Sequence, residues 1–364
     1  GGHRHGANLF AESLVCIDAD TGERVWHFQA VHHGLWDYDF PCAPNLIDVT
    51  IDGETVKAVA QVSKQGFCYV FNRVTGEPLW PIEERPVAAS IVDGEEAHPT
   101  QPFPTKPAAF ERQGISEADL IDFTPELFEE AKAILNKHAY GPLFTPPTVL
   151  EADGSGGTVV LPGMAGGANW PGAAVDPETG ILYVPSITRP AVIALQKPDP
   201  NRSNFRYIVA LGAMRIGGPQ GLPLTKPPYR RITAINLNTG EHEWQVPFGK
   251  GPVDHPLLAD LELPDLGSPF PESVIADGGL MVTKSLVIAQ LANMSWANGV
   301  ETIKGSLLQA YDKATGELVA EVPVDRHLHG PPTSYMLDGR QYLVMTGGGG
   351  GAEPAEILAF ALPQ

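Results

Sequence analysis

Three observations predict an all-β fold for this 364-residue chain: a hairpin motif that recurs five times, spacings that suit four-stranded blades, and a high turn content. The expected architecture is a β-propeller of four-stranded blades, about five of them present, with a helical insertion. Gly and Pro number 39 and 35, above ordinary usage and below the disordered range, as expected for many tight turns between short strands. No apolar run approaches the length of a membrane-spanning helix.

The motif is a strand ending in Asp or Asn, two variable residues, Thr-Gly, then a second strand. Its copies are Ile17-Asp18-Ala19-Asp20-Thr21-Gly22, Phe71-Asn72-Arg73-Val74-Thr75-Gly76, Val175-Asp176-Pro177-Glu178-Thr179-Gly180, Ile235-Asn236-Leu237-Asn238-Thr239-Gly240 and Tyr311-Asp312-Lys313-Ala314-Thr315-Gly316. The Asp or Asn caps its own turn, Gly supplies positive φ, and the flanks build two antiparallel strands. In three copies a Trp stands four residues beyond the Gly (Trp26, Trp80, Trp244), where it would pack between neighbouring sheets. Successive glycines lie 54, 104, 60 and 76 residues apart, and a blade takes about 40–50 residues.

Taken in order, the chain opens at Gly1-Gly2-His3-Arg4-His5 without an initiator Met and enters a strand by Leu14-Val15-Cys16-Ile17, which reads as a start within a domain. Asp52-Gly53, Lys64-Gln65-Gly66 and Asp338-Gly339 mark further hairpins. The longest gap holds an insertion over 81–147, first Pro-rich, then helical. Ser116 with Asp119 suits a capping box, and Thr124 before Pro125 suits an N-cap. Leu127, Phe128, Ala131, Ile134 and Leu135 make one apolar stripe, ended near Gly141, that would pack on the propeller. Such an insertion can also cover the axial face as a lid.

Cys16, Cys42 and Cys68 lack the spacing of a zinc ribbon, a redox pair or a haem attachment, and read as buried thiols in strands. The formal net charge of −19 repels phosphate backbones and excludes nucleic acid as an expected partner.

The densest chemistry is His32-His33-Gly34-Leu35-Trp36-Asp37-Tyr38-Asp39-Phe40-Pro41. Its side chains could cap turns, or one carboxylate could act as a general base with the aromatics walling a pocket. Elsewhere the signals are weaker. His327-Leu328-His329 could pair two imidazoles on one strand face for a metal, or serve packing. Gly347 to Gly351 is not followed by the Lys-Ser/Thr of a phosphate loop; it reads as backbone approaching the propeller axis.

Chain-wide, the sequence resembles pyrroloquinoline quinone (PQQ)-dependent dehydrogenases, most of all the carboxyl-terminal portion of the membrane-bound glucose and quinate dehydrogenase branch. The resemblance is carried by Trp26-His27-Phe28-Gln29, His32-His33, Leu35-Trp36-Asp37-Tyr38-Asp39, Thr100-Gln101-Pro102-Phe103-Pro104, Phe144-Thr145-Pro146-Pro147, Gly166-Gly167-Ala168-Asn169-Trp170 and Leu358-Ala359-Phe360-Ala361-Leu362-Pro363. It implies an eight-bladed propeller with PQQ and a divalent metal, calcium first among candidates, near the axis. Asp37 would be the catalytic base, taking a proton from a substrate hydroxyl while hydride passes to the quinone. Lys64, 27 positions later, would bond the quinone oxygens, where a cation stabilises developing negative charge. Asn169 and Trp170 would contact the cofactor, although Trp170 also suits inter-blade packing. Asp39 is a weaker candidate, with Asp37, for metal binding.

Three departures qualify the resemblance. Gly34 replaces a common Asp, which would loosen the loop beside Asp37. Ser186 and Gly305 stand where the glucose branch has Asn and Asp in the cofactor pocket. The remaining metal ligands and the residues flanking the quinone ring would come from preceding amino-terminal blades, so the isolated chain is expected to be an open propeller with an incomplete site. The implied protein is a periplasmic oxidoreductase acting on a sugar, polyol or alcohol, with ubiquinone or a cytochrome as electron acceptor. A non-catalytic propeller scaffold of the outer-membrane assembly type, or a degenerate quinoprotein, is the rival expectation.

Overall fold

The computed structural model describes residues 2–211, 216–269, 278–296, 302–348 and 354–361. Most of its strands form antiparallel meanders that follow one another along the chain, and one five-stranded sheet around Thr158–Val160 and Ala191–Gln196 is mixed, with two parallel pairings. Ser13–Ile17 pairs with Arg24–Gln29, and Asn45–Ile51, Glu54–Val62 and Cys68–Asn72 make a three-stranded sheet. Two four-stranded sheets come next among the meanders. One runs Ala174–Asp176, Ile181–Ile187, Arg230–Asn236, Glu241–Pro247, and the other Leu280–Val282, Leu286–Ser295, Thr302–Asp312, Leu318–Val324. Leu328–Leu337, Arg340–Gly347 and Glu356–Ala361 close the described chain as three strands. The all-β expectation therefore holds, but only some of the sheets have four strands.

The recurrent motif folds as its residue types require. Asp18 Oδ1 accepts from the Asp20 and Thr21 amides at 3.0 and 2.8 Å, and Asp312 Oδ1 accepts from those of Ala314 and Thr315 at 2.9 and 3.0 Å. The second copy departs from the pattern, since past Gly76 an isolated bridge between Phe71 and Pro78, with Leu79 N donating to Val70 O at 2.9 Å, stands in place of a second strand. Each Trp packs on the Thr-Gly turn of a later copy. A Cβ added to Gly76 would lie 2.6 Å from the Trp26 ring, one on Gly240 3.0 Å from Trp80, and one on Gly316 2.8 Å from Trp244. Two of these indoles also donate to a turn carbonyl, Trp26 to Arg73 O and Trp244 to Lys313 O, both at 3.1 Å. The turn glycine is thus needed twice, for positive φ and for room beneath an indole. Gly22, in the first copy, has no such neighbour among the described residues.

Within 81–147 the helix forms over Pro125–Leu135, with the Thr124 hydroxyl accepting from the Leu127 amide at 3.3 Å. Ser116 and Asp119 close on each other at 2.8 Å around a short 3-10 turn. Leu127, Ala131 and Leu135 are buried in a cluster with Val159, Leu161, Val192 and Ala194, as the stripe predicts. The helix ends at Asn136, short of Gly141, because Ala139–Tyr140 is drawn into parallel pairing with Thr158–Val160. Ile82–Pro86 and Thr100–Pro104 form a separate two-stranded sheet.

The three cysteines are free. Cys68 is buried in its strand, whereas Cys16 and Cys42 are half-buried and Cys42 lies outside any strand. Burial pushes the Cys42 thiol up to about 11 and the Cys68 thiol up to about 12.

Candidate active site

The segment 35–39 is built by alternation. Trp36 and Tyr38 are fully buried and stack on each other with ring centroids 6.2 Å apart. Each is tied to distant backbone, the Trp36 indole to Thr145 O at 2.8 Å and the Tyr38 hydroxyl to Pro162 O at 2.5 Å. Burial raises the Tyr38 phenol well above its usual range, so it stays a neutral donor. The rings are anchors, and Trp36 also lines the cavity beside Asp37, as expected of a pocket wall. Between them Asp37 sits at φ +63, a conformation that few non-Gly residues adopt. Held there, its carboxylate points out, 55% exposed.

The loop is fixed from both flanks. The His32 amide donates to Gln101 Oε1 at 2.8 Å, Gln101 Nε2 donates to His32 O at 2.7 Å, and the His32 ring reaches Glu84 at 2.9 Å. Gly34 does not loosen it. The Glu12 carboxylate fills the space a side chain would need, since a Cβ on Gly34 would lie 1.9 Å from Glu12 Oε1, and Arg4 donates to Gly34 O at 2.8 Å. Burial raises the Glu12 pKa, Asp39 and Asp37 add to the rise, and Arg4 opposes it.

Lys64 meets this loop from the hairpin between Glu54–Val62 and Cys68–Asn72. Its ammonium donates to Asp37 Oδ2 at 2.9 Å and lies 2.6 Å from Asp39 Oδ1, the latter an ion-pair contact without hydrogen-bond geometry. Only 8% of the Lys64 side chain is exposed. Burial works to lower its pKa, but the close contacts and charges of Asp39 and Asp37 outweigh it, so the net shift is upward. The lysine is a fixed cation rather than a proton donor at neutral pH.

The 166–172 loop adjoins Lys64. Gly167 N donates to Lys64 O at 2.8 Å, and a Cβ on Gly166 would strike the Lys64 stem at 2.4 Å. Asn169 is half-buried and bonds Ala165 O at 2.7 Å, while Trp170 is 75% exposed. A cavity of about 840 Å³ opens beside Asp37, lined also by Glu12, Gly34, Leu35 and Met164; Lys64, Asn169 and Trp170 are not among its lining residues.

Other expected residues lie elsewhere. Ser186 is buried and donates to Glu111 at 2.8 Å instead of facing an open site. Gly305 has φ +80, and a Cβ there would lie 2.2 Å from Val324 O, so backbone geometry dictates the glycine. His327 and His329 do stack, with centroids 5.2 Å apart, and His329 bonds Gly348 O at 3.0 Å. Of the 347–351 run, only Gly347 and Gly348 fall within the described residues.

Residues 1–343 match the family model described as PQQ glucose/ethanol/alcohol dehydrogenase, β-propeller domain. The chain belongs to this family. Among curated proteins, this PQQ dehydrogenase-family chain is 30% identical to the quinate/shikimate dehydrogenase (quinone) of Acinetobacter baylyi, across 100% of the chain and 46% of that protein. It is 28% identical to the quinoprotein glucose dehydrogenase of Escherichia coli, across 98% of the chain and 45% of that protein. The chain thus spans under half the length of the relatives it matches. The crystal structure of quinohemoprotein alcohol dehydrogenase from Comamonas testosteroni shares the fold, with a TM-score of 0.58 and 20% identity over 98% of this chain and 43% of that one.

The donor set can be tested against the groups the family implies. A cation, a carboxylate, an amide and an exposed indole on adjoining loops suit a flat anionic quinone. They do not make a divalent-metal site on their own. Asp37 and Asp39 both face the Lys64 ammonium, and no three His, Cys, Asp or Glu side chains converge among the described residues. Calcium takes about six to eight oxygens.

Proposed function

We propose that this chain forms part of a PQQ-dependent dehydrogenase that oxidises a hydroxyl group of a sugar, polyol, quinate-like or simple alcohol substrate. The observation that carries the reading is the Asp37–Lys64 pair: a carboxylate held outward at φ +63, 2.9 Å from an ammonium buried behind it. PQQ, when bound, supplies the hydride acceptor.

The chain's own residues then divide the work. Asp37 takes the substrate hydroxyl proton on a carboxylate oxygen as general base. Lys64 keeps its charge and offers it to an acceptor oxygen on which negative charge develops. Asn169 offers amide donor and acceptor, and Trp170 an exposed aromatic face. Trp36 and Tyr38 hold Asp37 and close the site behind it to water.

Further blades, amino-terminal to these, would complete both the propeller and the site. Three features support that reading. The chain spans under half of its relatives' length. Among the described residues, the sheets at its two ends have two and three strands. Gly22 lies bare where the glycines of three other copies carry an indole, beside the exposed Ile17 and Val25. In this reading 81–147 is an insertion within one propeller domain, calcium is completed by ligands from the added blades, and the whole protein works in the periplasm. Ubiquinone or a cytochrome receives the electrons. No helix among the described residues is long and apolar enough to cross a membrane.

The test is Asp37→Asn in a protein extended to full propeller length and loaded with PQQ and calcium. Hydroxyl oxidation should fall by about 10²–10⁴-fold with cofactor affinity kept. Undiminished turnover overturns the assignment. The 364-residue chain alone should show no turnover with the same additions.

A further inference from the structure

A second ionic cluster lies behind the reactive pair, and of its members only Ser186 stands out in the sequence. The Glu111 side chain is completely buried, opposite an Arg231 that is 7% exposed. Glu111 Oε2 accepts from Ser186 Oγ at 2.8 Å, and Oε1 accepts from Thr188 Oγ1 at 2.5 Å and from the Arg112 amide at 3.0 Å. Arg231 Nη2 stands 3.2 Å from Oε1 and donates to Thr188 Oγ1 and Pro228 O at 2.6 and 2.8 Å. Ser186 and Arg231 face each other across paired strands, so the sheet itself sets this meeting.

The cluster touches both loops of the site. A Cβ on Gly66, at the tip of the Lys64 hairpin, would lie 2.9 Å from Glu111 Cβ; one on Gly167, in the Asn169 loop, would lie equally close. Phe110 N donates to Gly66 O at 2.9 Å, and Gln113 Nε2 to Gln65 O at 3.0 Å. The two loops are already joined through Gly167 N and Lys64 O. Glu111 is wedged against that junction, and its two oxygens take three hydrogen bonds besides the Arg231 contact. A carboxylate so held has one orientation, and an uncharged substitute would leave Arg231 buried beside too few acceptors.

We propose that Glu111, clamped by Arg231, Ser186 and Thr188, is a positioning residue for Lys64. It fixes the 64–66 turn against the 166–167 loop and thereby holds the ammonium between Asp37 and Asp39. The inference rests on the reading of Asp37 and Lys64 as the reactive pair, but its test does not need catalysis.

The experiment is pH-dependent competitive acetylation of the 364-residue chain, with labelling at each lysine read by mass spectrometry. In the unaltered chain Lys64 should resist labelling at pH 9, being charged and enclosed. In Glu111→Gln, Lys64 labelling at pH 9 should rise at least threefold and its titration should move to lower pH. Lys106, which pairs with Glu241 at the surface, should be unchanged. A folded Glu111→Gln chain with an unaltered Lys64 profile overturns the proposal. If that variant does not fold, Ser186→Ala removes a single bond to the same carboxylate and should give a smaller rise in the same direction; an unaltered profile there overturns it equally. Loss of the catalytic reading would appear in Asp37→Asn turnover and leave this labelling result standing.

Discussion

Asp37–Lys64 and Glu111–Arg231 are both acid–base ion pairs, separated by the 64–66 turn, and they are built to opposite specifications. The first leaves its carboxylate 55% exposed, and its neighbour Asp39 keeps an oxygen without a hydrogen bond. The second has a carboxylate with no exposure and three hydrogen bonds. An exposed acid with a strained backbone can exchange partners with a substrate, whereas a saturated buried one can only stay where it is. Reactivity and rigidity are assigned to neighbouring pairs, and the turn between them transmits the support.

That contrast can be broken from either side. Glu111→Ala leaves Arg231 buried without its counter-charge and should destabilise the fold by about 3–5 kcal/mol, read as a lower urea midpoint. Lys64→Met, at the pair whose carboxylates are half-exposed and can turn to water, should cost less, about 1.5–3 kcal/mol, while weakening quinone binding. Equal losses of stability would erase the distinction between the two pairs.

Filled and open versions of one feature also recur at the Thr-Gly turns. Gly76→Ala meets both the positive φ and the Trp26 ring 2.6 Å away, a cost of about 2–4 kcal/mol. Gly22→Ala meets only the φ, about 1 kcal/mol. Urea unfolding of the two variants compares them, and a bare turn as costly as the covered one would mean that the indole exerts no steric demand.

The smallest expected effect is electrostatic. Asp176, in the third copy, bonds Lys313 of the fifth at 2.7 Å. Burial works to raise its pKa, but Lys313 and Thr179 outweigh it and the net shift is downward. A depressed carboxyl pKa contributes stability above the ordinary value near 3.9, and that contribution is lost as pH falls through the folded value. Asp176→Asn should therefore lower stability by about 1 kcal/mol at pH 7, and the difference should shrink towards zero in strong acid. Thermal midpoints at both pH values check this.

Much of the fold was legible because its signals are local. Asp or Asn, Thr and Gly specify a turn from within six residues, and Thr124-Pro125 specifies a helix start in the same way. The strand count per sheet was not legible, since pairing partners lie far apart in sequence and sheet completion depends on neighbours. At the site, Asp37 and Lys64 were found through the resemblance and meet in space. Glu111 was missed: Phe110-Glu111-Arg112 carries no motif, and its importance comes from Ser186, Thr188 and Arg231, which lie 75 or more residues away. The exchange of bulk between Gly34 and Glu12, residues 22 apart, was invisible for the same reason.

The central claim is that Asp37 and Lys64 belong to a quinone site that this chain supplies in part. Its most direct test is PQQ titration with calcium, followed by fluorescence quenching, on the chain alone and on a polypeptide extended to the full length of its relatives. The account predicts saturable binding by the extended protein, weakened at least tenfold by Lys64→Met, and little or none by the chain alone. Binding by neither, or binding by the extended protein that ignores Lys64→Met, would contradict it.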